Sequence, residues 1–177
     1  MPKSRVFFNI LLSMTMFHCH AQSFMLQPID ENHSRLVLQN DSITHTWDLN
    51  YPVYQFQTGD INGDGLDEAI VGVIKTTRFD PTIQRRMFIF KNYHGLIRPL
   101  WMGSRLGHTL VDFAIVDNCI RAIDRNDQGQ YAVNEYLYGA FGPTFYQNIA
   151  TNVSETEARL ILNTTPQNNP NNTLSNP

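Results

Sequence analysis

Nine short runs rich in β-branched and aromatic residues fill the interior of this chain, at 35–39, 42–48, 53–57, 69–75, 86–91, 96–101, 109–116, 120–125 and 130–138. Turn-forming stretches separate them, among them Gln39-Asn40-Asp41, Asn92-Tyr93-His94-Gly95 and Asn126-Asp127-Gln128-Gly129. Extended backbone suits β-branched and aromatic side chains, and Asn, Asp and Gly close the turns between strands. The pattern predicts an all-β fold of compact antiparallel sheets.

Both ends of the chain depart from this pattern. Lys3 and Arg5 precede an apolar run over 6–17, and Cys19-His20-Ala21 places small residues at both key cleavage positions. This reads as a signal peptide over 1–21 and an exported chain starting at Gln22. The run is shorter than the roughly 20 residues that span a bilayer. A second route stays open, a lipoprotein acylated at Cys19, although His18 stands where such signals usually carry a small residue. Residues 164–177 are almost all Asn, Pro, Thr, Ser and Gln, a composition that cannot bury enough apolar surface to offset ordering. Just before them, Ser154 and Glu157 have the spacing of a capping box, and Ala158, Leu160, Ile161 and Leu162 follow. One short helix is predicted at about 155–163. The expected organisation is therefore a leader over 1–21, one β domain over 22–150, and a helix with its polar tail over 151–177.

Asp60-Ile61-Asn62-Gly63-Asp64-Gly65-Leu66-Asp67-Glu68 carries the clearest chemistry. Oxygen-bearing side chains stand at positions 1, 3, 5 and 9, with glycine at 6. Hard cations such as calcium take six to eight oxygen ligands, and the glycine permits the turn that wraps the loop around the ion. The predicted ligands are the side chains of Asp60, Asn62, Asp64 and Glu68 with the Leu66 carbonyl. Position 12, where an EF-hand needs an acid, is Val71, and strand-like runs flank the loop. A strand–loop–strand calcium site fits better than an EF-hand. The alternative is a turn that binds nothing, since Asp, Asn and Gly favour turns.

Residues 59–72 resemble the calcium loop and following strand of FG-GAP/VCBS repeats, the integrin-type propeller blades. The stretches at 88–95, 100–107 and 138–142 also resemble small uncharacterised secreted proteins of Bacteroidota, some called nuclear receptor-binding factor 2. The first resemblance implies blade-like sheets and a structural calcium ion. A propeller has at least about four blades of roughly 40 residues, and this chain holds two to three blade equivalents. A complete propeller would need oligomerisation. The expectation is instead a compact pair of packed antiparallel sheets.

Loss of Lys3 and Arg5 with the leader leaves 11 basic and 16 acidic residues, a net charge of −5. Seven of the bases, Lys75, Arg78, Arg85, Arg86, Lys91, Arg98 and Arg105, share one 31-residue stretch with a single acid, Asp80. Arg78, Arg85, Arg86, Lys91, Arg98 and Arg105 are candidates for a surface that meets anionic partners. The plainer reading is solvated strand faces and turns. An acidic exported chain argues against nucleic acid. Cys119 is the one cysteine beyond the leader, so no intramolecular disulfide is expected. No nucleophile–base motif stands out among His33, His45, His94 and His108; the four-residue spacing of His108 and Asp112 is a weak pairing. The aromatic run over 136–146 suits core packing or stacking on sugar rings. The chain reads as an exported calcium-stabilised interaction module of the cell envelope, its partner a protein or glycan. The second reading is a secreted hydrolase of carbohydrate or another cell-surface polymer.

Overall fold

The computed structural model describes residues 23–39, 44–78, 80–103 and 106–164. The expected leader, its cleavage after Ala21, Cys19, Arg105 and nearly all of the polar tail lie outside them.

Eleven strands and one helix are described, and within each sheet the strands pair in sequence order. β1 (Ser23–Asp30), β2 (His33–Gln39) and β3 (Thr44–Leu49) form the first sheet. β4 (Val53–Gly59), β5 (Glu68–Thr77), β6 (Asp80–Tyr93) and β7 (Leu96–Met102) form the second. β8 (Thr109–Val116), β9 (Cys119–Arg125), β10 (Tyr131–Gly139) and β11 (Gly142–Val153) form the third. α1 (Glu155–Leu162) closes the described chain. All pairings are antiparallel, as expected, but the sheets number three instead of two. The chain thus forms three successive meanders, of three, four and four strands.

The layering follows from period-two alternation. In β5 and β6, Ala69, Val71, Val73, Phe88 and Phe90 face the first sheet and pack on Leu36, Leu38 and Leu49. The alternate residues Ile70, Met87 and Ile89 face the third sheet and pack on Phe113, Ile120 and Ala122. β5 is therefore buried on both faces, which explains why it reads as an unbroken apolar run. In β9, Ile123 points the other way and joins Val133, Ala158 and Leu162 beneath the helix. The helix is part of the packed body, and β11 runs three residues past the expected boundary at 150.

Edge strands carry unpaired backbone groups that must be managed. Pro99 lies in β7 and Pro143 in β11, both edges. At the β8 edge, two glutamines of β4 do the pairing. Gln57 Oε1 accepts from the Ile115 amide at 2.7 Å, and Gln55 Nε2 donates to the Phe113 carbonyl at 3.2 Å. The second and third sheets are thereby joined through side chains of the strand that leads into the 60–68 loop.

Candidate functional site

The loop over 60–68 joins β4 to β5, and Gly59 pairs with Glu68 at its base. Gly63 and Gly65 have φ of 77° and 83°, the left-handed region that glycine enters without strain. The acidic side chains organise the backbone. Asp60 Oδ1 accepts from the amides of Gly63 at 2.7 Å and Asp64 at 3.2 Å, and its Oδ2 accepts from Gly65 at 2.9 Å. Asn62 Oδ1 accepts from the Asp64 amide at 2.8 Å, and Asp64 Oδ1 from the Leu66 amide at 2.9 Å. The Gly65 amide is the largest of several influences that hold the Asp60 carboxyl below its usual range.

Ile61 anchors the loop in the core between the second and third sheets. Glu68 is 1 % exposed. Its Oε2 accepts from the Ile61 amide at 3.2 Å and its Oε1 from Asn62 Nδ2 at 2.7 Å. Burial is the main cause that pushes the Glu68 carboxyl up to about 7, and the charges of Asp64, Asp60 and Asp67 push the same way. Glu68 thus sits among acids of its own sign.

The donor set is all oxygen, as a hard divalent cation requires. Among the described residues, no three His, Cys, Asp or Glu side chains converge as a metal cage. Asp60 and Asn62 instead spend their oxygens on loop amides, and the Asn62 amide nitrogen faces Glu68. A carboxylate has about four lone-pair sites, so bonding to an amide leaves room for a cation.

The basic stretch spreads over several environments. Arg85 and Arg86 are adjacent on β6 and so extend from opposite faces. Arg85 lies over the Tyr54 ring at 4.6 Å and donates to the Val111 carbonyl. Arg86 is buried and ion-paired with Asp80 at 2.7 Å. Lys91 lies 5.4 Å from the Tyr93 ring and pairs in register with Arg98 across β6 and β7. Arg78 lies in the turn after β5. Cys119 is half-buried at the start of β9, and burial is the main cause that raises its thiol.

His108 and Asp112 part company. Asp112 pairs with Arg159 of the helix at 2.9 Å, while His108 lines a cleft with Asp124. That cleft, of about 310 Å³, also takes in Asn134, Tyr136, Phe145 and Asn148. It was not foreseen. Its one sequence signal is a set of polar residues on alternate positions of strands otherwise apolar on that face. The predicted turn at 126–129 closes the β9–β10 hairpin, with the Gly129 amide donating to the Asn126 carbonyl at 3.0 Å.

Comparison with protein families, with curated proteins and with solved structures finds no match to this chain. The site's geometry therefore carries the functional reading. Among the described residues, no helix is long and apolar enough to cross a membrane.

Proposed function

We propose that this chain is an exported, calcium-stabilised β-rich interaction module of the cell envelope, with the ion held by the 60–68 loop. One observation carries the calcium reading. Glu68 is almost fully buried beside Asp60, Asp64 and Asp67, and their like charges oppose its ionisation. A divalent cation bound by Asp60, Asn62, Asp64, the Leu66 carbonyl and Glu68 would reverse that penalty. Its role would be structural, since the loop connects two strands of the central sheet and Ile61 ties it to the core. The FG-GAP resemblance of residues 59–72 points the same way.

Calcium titration of the chelator-treated chain, followed by calorimetry and by thermal melting, tests this. Saturable binding with a rise in Tm is expected. Absence of both would reduce the loop to a turn. Capture of envelope components by the tagged chain, with and without calcium, then tests the interaction role.

A second reading, a secreted hydrolase of carbohydrate or another cell-surface polymer, has one specific observation in its favour. His108 and Asp124 line the same cleft, and the Asp124 carboxyl is raised, chiefly by burial. A raised carboxyl suits a general acid. Release of reducing ends from envelope polysaccharide, abolished by Asp124→Asn, would favour the hydrolase.

A further inference from the structure

Asp124 of β9, Asn134 and Tyr136 of β10, and Phe145 and Asn148 of β11 share the face of the third sheet turned away from the helix. With His108 they line the cleft of about 310 Å³, at the small end of the roughly 300–1,000 Å³ typical of ligand pockets.

Its floor is preorganised. Asp124 is 1 % exposed. Its Oδ2 accepts from Asn134 Nδ2 at 2.8 Å and from the Tyr136 hydroxyl at 2.9 Å. Asn148 Nδ2 in turn donates to Asn134 Oδ1 at 2.8 Å. The side chains form a relay, Asn148 to Asn134 to Asp124, that fixes the orientation of each group. Asp124 Oδ1 is buried and has no partner. Leaving such an atom unpaired costs about 1–3 kcal/mol, so its retention calls for a use.

The lining selects a class of ligand. Among the described residues its lining holds neither lysine nor arginine, so apart from His108 it offers no cationic group to pair with a phosphate or carboxylate. One carboxylate is too few to cage a divalent cation. What the wall offers is closely spaced donors and acceptors, from amides and a carboxyl, beside an aromatic ring. Phe145 is 54 % exposed and stands edge-on to Tyr136, with ring centroids 6.1 Å apart. Adjacent hydroxyls on a ring whose other surface is C–H satisfy both halves of that wall.

We infer that this cleft binds a neutral saccharide. Asp124 and the Asn134–Asn148 relay engage its hydroxyls, and Phe145 packs on its C–H face. This names a partner class for the interaction module and rests on that reading, but it does not depend on calcium.

The test is saturation-transfer NMR on the full chain with the methyl glycosides of glucose, galactose, mannose and N-acetylglucosamine, each at about 10 mM, with glucuronate as the anionic comparison. Transfer to at least one neutral glycoside is expected, with binding weakened about tenfold by Phe145→Ala and by Asp124→Asn. Melting curves check that both variants fold. If Asp124→Asn does not, Phe145→Ala on the exposed edge strand decides the matter. No transfer to any neutral glycoside, a preference for glucuronate, or binding unmoved by Phe145→Ala would overturn the inference. Running each arm in calcium and in chelator separates the two readings. Absence of saccharide transfer with a calcium-dependent Tm retires the cleft alone. Saccharide binding with a calcium-indifferent Tm supports the cleft and retires the calcium loop alone.

Discussion

Arg121 and Glu135, paired in register across β9 and β10, form an ion pair of 2.7 Å that is almost closed to solvent on both sides. The same guanidinium donates to the carbonyls of Ile161 at 3.1 Å and Thr164 at 2.5 Å. It thus satisfies the end of α1, where helical carbonyls lack partners. Gln147 of β11 donates to the other Glu135 oxygen at 2.6 Å. One arginine therefore links two strands and the helix that covers them.

Arg121→Ala should consequently be among the most damaging single changes. It strands Glu135 in the interior and frees the helix end, and breaking such a pair costs about 3–5 kcal/mol. Urea denaturation measures the loss. Amide exchange should rise first in α1. A loss below about 1 kcal/mol, as for a surface ion pair, would show that the pair is not buried in solution.

Gly72 of β5, in the second sheet, is crowded by Tyr54 and Gln55 of β4 and by Phe113 of the third sheet. A Cβ there would lie 2.6 Å from Tyr54 Cζ and 2.9 Å from Phe113 Cε1. The position is not in the left-handed region, so packing alone excludes a side chain. Gly72→Ala should destabilise by about 1–3 kcal/mol through overpacking. Adding Phe113→Leu should recover part of that loss in a double-mutant cycle. Strictly additive losses would mean that the two sheets do not meet at Gly72.

Acid sensitivity has an identifiable source in Asp80. The hydrogen bond from Arg86 is the main cause that holds its carboxyl near 2, against an ordinary 3.8. A carboxyl lowered by folding stabilises the fold above its unfolded value and loses that contribution as pH falls. The loss from this pair should span about pH 4 down to about 2. Asp80→Asn should make the Tm-against-pH curve shallower over that window. Parallel curves for the two proteins would show that Asp80 and Arg86 do not pair in solution.

Strands with a buried face were legible in the sequence, because burial imposes composition. The runs at 69–75, 109–116, 120–125 and 130–138 all fall on strands of the central and third sheets. The helix was legible through its cap, and Ser154 Oγ accepts from the Glu157 amide at 3.2 Å. β11 was not. Apart from Gly142 it has no buried position, so it lacks the alternation that marks a strand, and its pairing with β10 shifts register three times. β1 was missed for the same reason, with Phe24 as its one buried residue and Pro28 within it. The loop was readable as a motif because its ligand candidates are consecutive. The cleft was not, because it gathers residues from three strands and two connections that lie far apart in the chain.

The last prediction concerns the loop itself. Calcium binds the native loop and not the unfolded chain, so it should stabilise the fold by mass action. Three ligand carboxylates against a double-positive ion suit an extracellular site with a Kd on the order of 0.1–1 mM. At about 1 mM calcium and a Kd near 0.1 mM, linkage gives about 1.4 kcal/mol. For a domain of this size, that raises Tm by about 3–6 °C. Chelator should remove the rise. Asp64→Ala should abolish it by deleting a central charged ligand. Asp67→Ala should keep it, because Asp67 is not among the proposed ligands and acts on Glu68 through charge. Equal calcium responses in the two variants would show that the rise comes from general screening of acidic charge. A melt unmoved by calcium in the unmodified chain would leave Asp60, Asn62 and Asp64 as turn-forming caps and nothing more.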